Sequence, residues 1–369
     1  MMKCEISIVG IGKLIGVSMK ACMIFCLWPS LILFCSCQDQ NPSRLPPNKS
    51  STSAVAPVPK GPQPIAAYIR NILQDREGNF WFGTNGKGVA HYDGTKVSYF
   101  SKAAGFNGEQ ITDIVEDSQG NLWFGTNLGV VQYDWTSKAN GEKRFTNYII
   151  EQDLEKRDVR SLLVDSQGDV WAGTPSGVKR FNGKYFDDFE LPFDQPLGDG
   201  YYSNRTIFGI SEDSHGHIWF GTNGHGAFRY DGEEFTHYTE EEGLSNNEVD
   251  IILEDRQGHY WFGTRFGGVS KYDGLSFTNF KSPHDIGNNE VCEVYEDRQG
   301  HIWLSSEGYG VYKYDGTTFT NYGEAEGLGV RAVQTIYQDN KDRIWVGGGG
   351  GLYRLEGERF VHVTRDGPW

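Results

Sequence analysis

Cysteine is scarce where a fold of this size would need it. Of six in 369 residues, Cys4, Cys22, Cys26, Cys35 and Cys37 crowd the start and only Cys292 lies in the body of the chain. That excludes an internal disulfide there, and with it any Cys-based zinc site. Positive charge is also short. Lys plus Arg number 34 against 49 Asp plus Glu, for a net charge of −15. Nucleic-acid binding needs a basic patch to displace phosphate counterions, so a nucleic-acid partner is excluded. The nine histidines form no H-E-x-x-H, no G-x-S-x-G accompanies them, and the acidic turns lack the D-x-[DN]-x-[DN]-G spacing of a calcium loop. No cofactor and no metal are therefore expected. Beyond residue 64 no stretch holds a 3.6-residue apolar period over 11 residues or more, which argues against helices.

What the chain has instead is a beat. Trp81, Trp123, Trp171, Trp219, Trp261, Trp303 and Trp345 follow one another at intervals of 42, 48, 48, 42, 42 and 42 residues. Each belongs to a unit reading D-x-x-G-x-x-W, with Asp342 in place of the Gly in the last, then G-T or a near variant, a Gly-containing turn, an apolar stretch, a turn and a final aromatic run. The fifth copy predicts strand A at 249–253, strand B at 260–263, strand C at 267–272 and strand D at 277–280. Asp273-Gly274 between the last two predicts a two-residue type I′ hairpin. A period of this length carrying four short strands defines an all-β fold: a seven-bladed β-propeller of four-stranded antiparallel blades over 65–369. The apolar anchors Ile69, Ile111, Val159, Ile207, Val249, Val291 and Val333 each precede their Trp by 12 residues. Strands A and B are thus constant in length. Insertions fall between strands C and D of copy two, at 135–143, and after strand D of copy three, at 191–206. The spacing leaves open whether residues 55–65 add a strand to the last blade.

Regularity also assigns roles. Seven tryptophans at one strand position read as blade-interface packing rather than as sugar platforms, and Trp135 and Trp369, outside the pattern, as surface residues. The acidic turn residues Asp75, Asp117, Asp165, Asp213, Asp255, Asp297 and Asp339 read as acceptors of turn backbone N–H groups. His215, His217, His259 and His301 fall beside those turns and are expected to be exposed.

Lys13 and Lys20 precede an apolar run over 21–34, too short for a comfortable membrane span and placed where a signal peptide sits. Met19 would make a tidier start than Met1. The run followed by Ser36-Cys37 resembles a bacterial lipoprotein signal, which implies cleavage after residue 36, lipidation of Cys37 and, with Gln38 next, outer-membrane sorting. Loss of Lys3, Glu5, Lys13 and Lys20 would deepen the net charge to −17. Residues 37–64, rich in Pro and Ser, read as a flexible tether. The only expected membrane contact is the lipid, and the domain is expected to be monomeric.

A site is expected where the copies diverge, on the rim that carries the B–C and D–A loops. There Lys87, His225, Arg265, Phe266, Glu307 and Tyr309 interrupt a Gly-rich framework, Asn247 and Asn289 lie on D–A loops, and the long third loop adds Tyr201 and Tyr202. Amides, charges and aromatics together suit a polar ligand such as a sugar or peptide, or another envelope protein.

The stretch from Gly243 through Asp255-Arg256-Gln257-Gly258 to Trp261-Phe262-Gly263-Thr264 resembles the two-component regulator propeller repeat, and similar copies run from about 69 to 363. The resemblance implies a sensor region of the cell envelope, though this chain carries no kinase and no following β-sandwich. A non-catalytic ligand-binding or interaction module is the expectation. The G-x-x-W-F pattern also resembles streptogramin lyase propellers, which implies an alternative in which His225 is a general base with Glu307 beside it.

Overall fold

A computed structural model describes residues 62–134, 145–151, 157–193, 203–280, 286, 290–330 and 332–369. All of these lie in the second of the chain's two compact units, residues 58–369. The described residues form seven four-stranded antiparallel sheets, and each sheet is sequential in the chain. Their first strands are Ile69–Gln74, Ile111–Glu116, Ser161–Val164, Ile207–Glu212, Val249–Glu254, Val294–Glu296 and Val333–Gln338. Contacts between these strands A run from each blade to the next and from blade 7 back to blade 1, so they line a ring. The only helical elements among the described residues are two 3-10 turns, Lys102–Ala104 and Glu324–Glu326. The fifth blade has strands at Val249–Glu254, Tyr260–Thr264, Val269–Tyr272 and Phe277–Phe280, within two residues of each expected boundary.

The Trp and the Asp of each repeat are one device. In every blade the indole Nε1 donates to the turn carboxylate six residues earlier, at 2.8–3.0 Å. The carboxylate's other oxygen accepts turn backbone N–H groups, from Gln257 and His259 in the case of Asp255. A buried indole N–H needs a partner, and this one comes from its own hairpin. The residue four after the Asp adds a second side-chain donor: Asn79, Asn121, His217, His259, His301 and Arg343 all reach it. His217, His259 and His301 are therefore half-buried structural partners rather than free surface groups.

Each indole then points into the next blade. Trp81 packs on Phe124 and Tyr133 of blade 2. Trp345 closes the circle against Phe80 of blade 1, in one cluster with Ile69 and Ile72. The seven are at most 3% exposed. Burying a Trp removes some 150–250 Å² from water, so each interface gains on the order of 5 kcal/mol from its indole alone. In every blade but the sixth, where Ser305 stands there, close approach is enforced from the other side by the Gly two residues after the Trp. A Cβ on Gly263 would sit 2.4 Å from the Val291 carbonyl of blade 6.

The seam between the first and last blades is closed blade against blade, since blade 7 takes all four strands from 333–363. The described residues just before blade 1 add a bridge: Pro64 pairs with Thr364, and Arg365 N–H donates to the Gln63 carbonyl. Trp369 is not a surface aromatic. It stacks on Tyr92 of blade 1 at 3.7 Å and lies 6.4 Å from Trp345 of blade 7, stapling the seam.

The C–D corners differ from the expected turn. Gly274 takes a positive φ of 92°, but Asp273 does not. Its carboxylate instead accepts the N–H groups of Leu275 and Ser276, so the connection is Asx-type with four residues between paired Tyr272 and Phe277. The Asp side chain replaces the second positive φ that a type I′ turn would demand. The insertion at 135–143, Trp135, the tether up to residue 61 and Cys37 lie outside the described residues.

Candidate functional site at the mouth of the central channel

One side chain per blade lines the channel mouth, and it is the residue just after each strand A anchor. These are Arg70, Thr112, Arg160, Phe208, Asp250, Cys292 and Gln334. The local reason is a bulge. In blades 1, 2, 4, 5 and 7 the A–B register slips between the anchor and the second residue after it, as at Val249/Ile251. The residue between, here Asp250, falls out of the ladder and turns toward the axis. Bulges commonly re-aim a side chain beside a functional site.

Arg265 and Glu290 join this ring around a cavity of about 250 Å³. Arg265 comes from the B–C loop of blade 5. One of its nitrogens lies 3.0 Å from Asp250 and 3.4 Å from Glu290, and its guanidinium stacks 4.3 Å above the Phe208 ring. Burial drives the Asp250 carboxyl upward, Arg265 pulls it back and neighbouring Glu290 raises it again, leaving it above the usual carboxylate range. Arg160 pairs with Asp158 at 2.8 Å. Arg70 lies over the Tyr68 ring at 5.6 Å. Burial together with Asp250, Glu290 and Glu293 pushes the Cys292 thiol up to about 12, against a hydrogen bond from Ser305, so it is not a nucleophile near neutral pH.

Below the mouth a second cavity of about 290 Å³ is lined by the next residues along the same strands, including Asn71, Asp113, Ser161 and Glu293. Asp113 accepts from the Asn71 side chain at 2.9 Å, from Leu162 N–H at 2.7 Å and from Ile114 N–H at 2.9 Å. Burial outweighs those bonds and raises its carboxyl to about 6. Glu293 is raised well above its ordinary value by burial, with Asp113 adding to it. Ile72, Ile114, Ile252 and Ile336, one step further, belong to the buried core. Three buried polar atoms facing this funnel have no hydrogen-bond partner among the described residues: Arg70 Nε, Asn71 Oδ1 and Asp250 Oδ2. Such atoms are costly, and at a concave polar surface they are what a ligand or ordered water would satisfy.

Of the residues expected at the rim, Arg265 reaches the cavity. Glu307 stands at its edge, exposed and near enough to Tyr68 to help raise that phenol's pKa, which burial raises first. Phe266 and Tyr309 are exposed on neighbouring loops. Lys87 is exposed, with its ammonium 5.9 Å from the Tyr99 ring. The His225 ring lies against Phe193, 5.2 Å away, and its carbonyl accepts from His237 Nε2. Asn247 holds the B–C loop of blade 4, its carbonyl accepting from Gly224 and Gly226 N–H and its side chain from Glu240 N–H. Neither His225 nor Glu307 lines either channel cavity. Asn289, Tyr201 and Tyr202 lie outside the described residues.

The B–C loops prove stiff as well as variable. In blades 1 to 5 the Thr of the G-T pair donates its hydroxyl to a Gly carbonyl across the loop, at 2.7–2.9 Å. Constant length in strand A does not point to the anchor-plus-one column. Its signal in the sequence is one position carrying Arg, Thr, Arg, Phe, Asp, Cys and Gln directly after an anchor that is always Ile or Val.

The molecule is thus a seven-bladed propeller with a polar, charge-balanced channel mouth. Its residues 64–86, 105–128, 201–224, 243–266 and 327–350 match the two component regulator propeller, and these copies belong to that repeat family. No curated protein sequence matches the chain. Among solved structures it is similar to an extracellular domain assigned to a hybrid two component system of B. thetaiotaomicron, with TM-score 0.66 and 23% identity over 79% of this chain and 39% of that one. A second such domain from the same organism, assigned to a one component system, gives 0.63 and 23% over 80% and 39%. The chain therefore spans about two fifths of the length of those structures. A catalytically inactive virginiamycin B lyase from Staphylococcus aureus, solved with quinupristin, gives 0.61 and 14% over 78% of this chain and 94% of that one. At such identities the likeness is one of fold.

Proposed function

We propose that this chain is a non-catalytic sensor or binding module of the cell envelope, which takes a small polyhydroxylated ligand, the end of an oligosaccharide, into its channel mouth. The observation that carries the reading is the cavity of about 250 Å³ with Arg70, Arg160 and Arg265 balanced by acidic neighbours and with Arg70 Nε and Asp250 Oδ2 left unpartnered. Alternating donors and acceptors around an aromatic face suit hydroxyl groups better than a bare phosphate or an apolar drug-like molecule. The Thr–Gly hydrogen bonds that brace the B–C loops of blades 1 to 5 reduce the ordering entropy that would oppose binding.

The test is calorimetric titration of the full chain with neutral and uronic oligosaccharides. Binding that falls at least tenfold in Arg70→Ala, but is unmoved in Lys87→Ala on the outer rim, supports the channel site. Binding equally indifferent to both changes, or no saccharide binding at all, refutes it. The lyase-like alternative predicts ligand turnover that His225→Ala abolishes, and ligand recovered intact argues against it. Anchoring through Cys37 is part of the same proposal, and fatty-acid labelling that persists in Cys37→Ser would disprove it.

A further inference from the structure

The A–B turns lie at the far end of strand A from the channel mouth, and the turn of blade 4 is unlike the other six. Two and four residues after its Asp, blade 4 carries His215 and His217, where the other blades pair Glu with Asn, Gln with Asn, Gln with Asp, Gln with His twice, and Lys with Arg. We propose that His215 and His217, oriented by Asp213, form a surface site for a divalent transition cation, zinc above all.

Potential ligand atoms of Asp213, His215 and His217 lie within 4.8 Å of one another. The two imidazoles are near-parallel, 12° apart with centroids at 5.7 Å. His215 is exposed, and a bound zinc would draw its nitrogen to roughly 2.0–2.1 Å from the ion. The Asp213 carboxylate is already saturated. It accepts from His215 and His217 N–H, from the Trp219 indole, from His217 Nδ1 at 2.9 Å and from the Tyr260 hydroxyl at 3.1 Å. It therefore serves behind His217 rather than on the metal. A carboxylate on Nδ1 fixes the tautomer that leaves Nε2 as a ligand, the usual second-sphere arrangement of a histidine site. Asp231, in the neighbouring C–D turn, interacts electrostatically with His217 and supplies negative charge nearby. Water completes the coordination.

The repeat provides its own controls. His215→Gln recreates the D-x-Q-G-H turn that blades 5 and 6 already fold, so a loss of binding cannot be ascribed to unfolding. Gln257→His rebuilds the proposed pair in blade 5, beside an Asp255–His259 contact of 3.2 Å. In titrations of the untagged full chain with zinc, His215→Gln should remove one bound equivalent, or weaken that site at least tenfold. Gln257→His should add one. A stoichiometry unchanged by His215→Gln overturns the proposal, even if zinc binds elsewhere. Loss of the site in His215→Gln without a gain in Gln257→His would assign binding to blade 4 features other than the His pair, and would overturn the proposal as drawn.

Discussion

Replacing Asp255 by Asn tests the claim that the Trp and Asp of a blade act as one unit. The amide keeps an oxygen for Gln257 and His259 N–H, and it puts an NH2 group where the second oxygen accepts from Trp261 Nε1 at 2.8 Å. Trp261 is 1% exposed, so its indole N–H is left facing a donor with no water to turn to. Losing a hydrogen bond to a charged acceptor costs about 1.5–3 kcal/mol, and stranding the buried donor brings the total to about 3–4 kcal/mol. Trp261→Phe removes the indole itself. It costs about 2–4 kcal/mol through lost contact in the blade 5–6 interface, and it relieves the clash in the double variant. The two effects should therefore couple. Urea unfolding of the four proteins should give an interaction energy of about 1.5–3 kcal/mol, with the double variant less damaged than the sum of the singles. Additivity to within about 0.5 kcal/mol would show that Asp and Trp stabilise the blade independently, and the central structural claim would fail.

A second prediction concerns packing between blades: Gly263→Ala, whose Cβ would meet a backbone carbonyl at 2.4 Å, should destabilise by at least about 2 kcal/mol, while Gly274→Ala, with open space around it but a φ of 92°, should cost less, about 1 kcal/mol; equal urea midpoints for the two would refute the close-approach account. A third concerns acid. Asp213, Asp255, Asp297 and Asp339 titrate below the usual range because turn and indole donors outweigh burial, so their stabilisation is present above about pH 4 and is lost as pH falls through their folded values. Asp113, raised to about 6, and Glu293 act with opposite sign, since they favour the fold below their unfolded values and lose that contribution as pH rises through the folded ones. Stability should therefore peak near pH 4, and Asp113 alone should remove up to about 3 kcal/mol as pH rises from 4 to 7. A urea midpoint that declines steadily from pH 8 to pH 4 would contradict this.

Fold and blade order were legible because interface packing demands the same residue at the same place seven times. The device joining Asp75 to Trp81 could be seen only as two separate columns, since a six-residue spacing does not announce a side-chain bond. The site was legible in part. Loop divergence led to Arg265, yet it gave equal weight to His225 and Asn247, which are spent on holding their own loops. Bulges decide which strand residue faces the axis, and a bulge changes neither length nor composition. Strict alternation would have paired Asp250 into the ladder, and Trp369 likewise looked unattached until the chain brought it back to Tyr92.

The slipped register after the anchor in five of the seven blades separates two kinds of information in one strand. The anchor and the third residue after it specify the ring, whereas the bulged residue, excused from ladder pairing, is free to vary without disturbing its neighbours. The channel mouth is then an address of seven letters, one contributed by each blade, written on a support that does not read it. Under the proposed binding role, specificity is rewritten one blade at a time, and a graft of Arg70, Thr112, Arg160, Phe208, Asp250, Cys292 and Gln334 onto another propeller of this repeat would be expected to carry most of that binding with it.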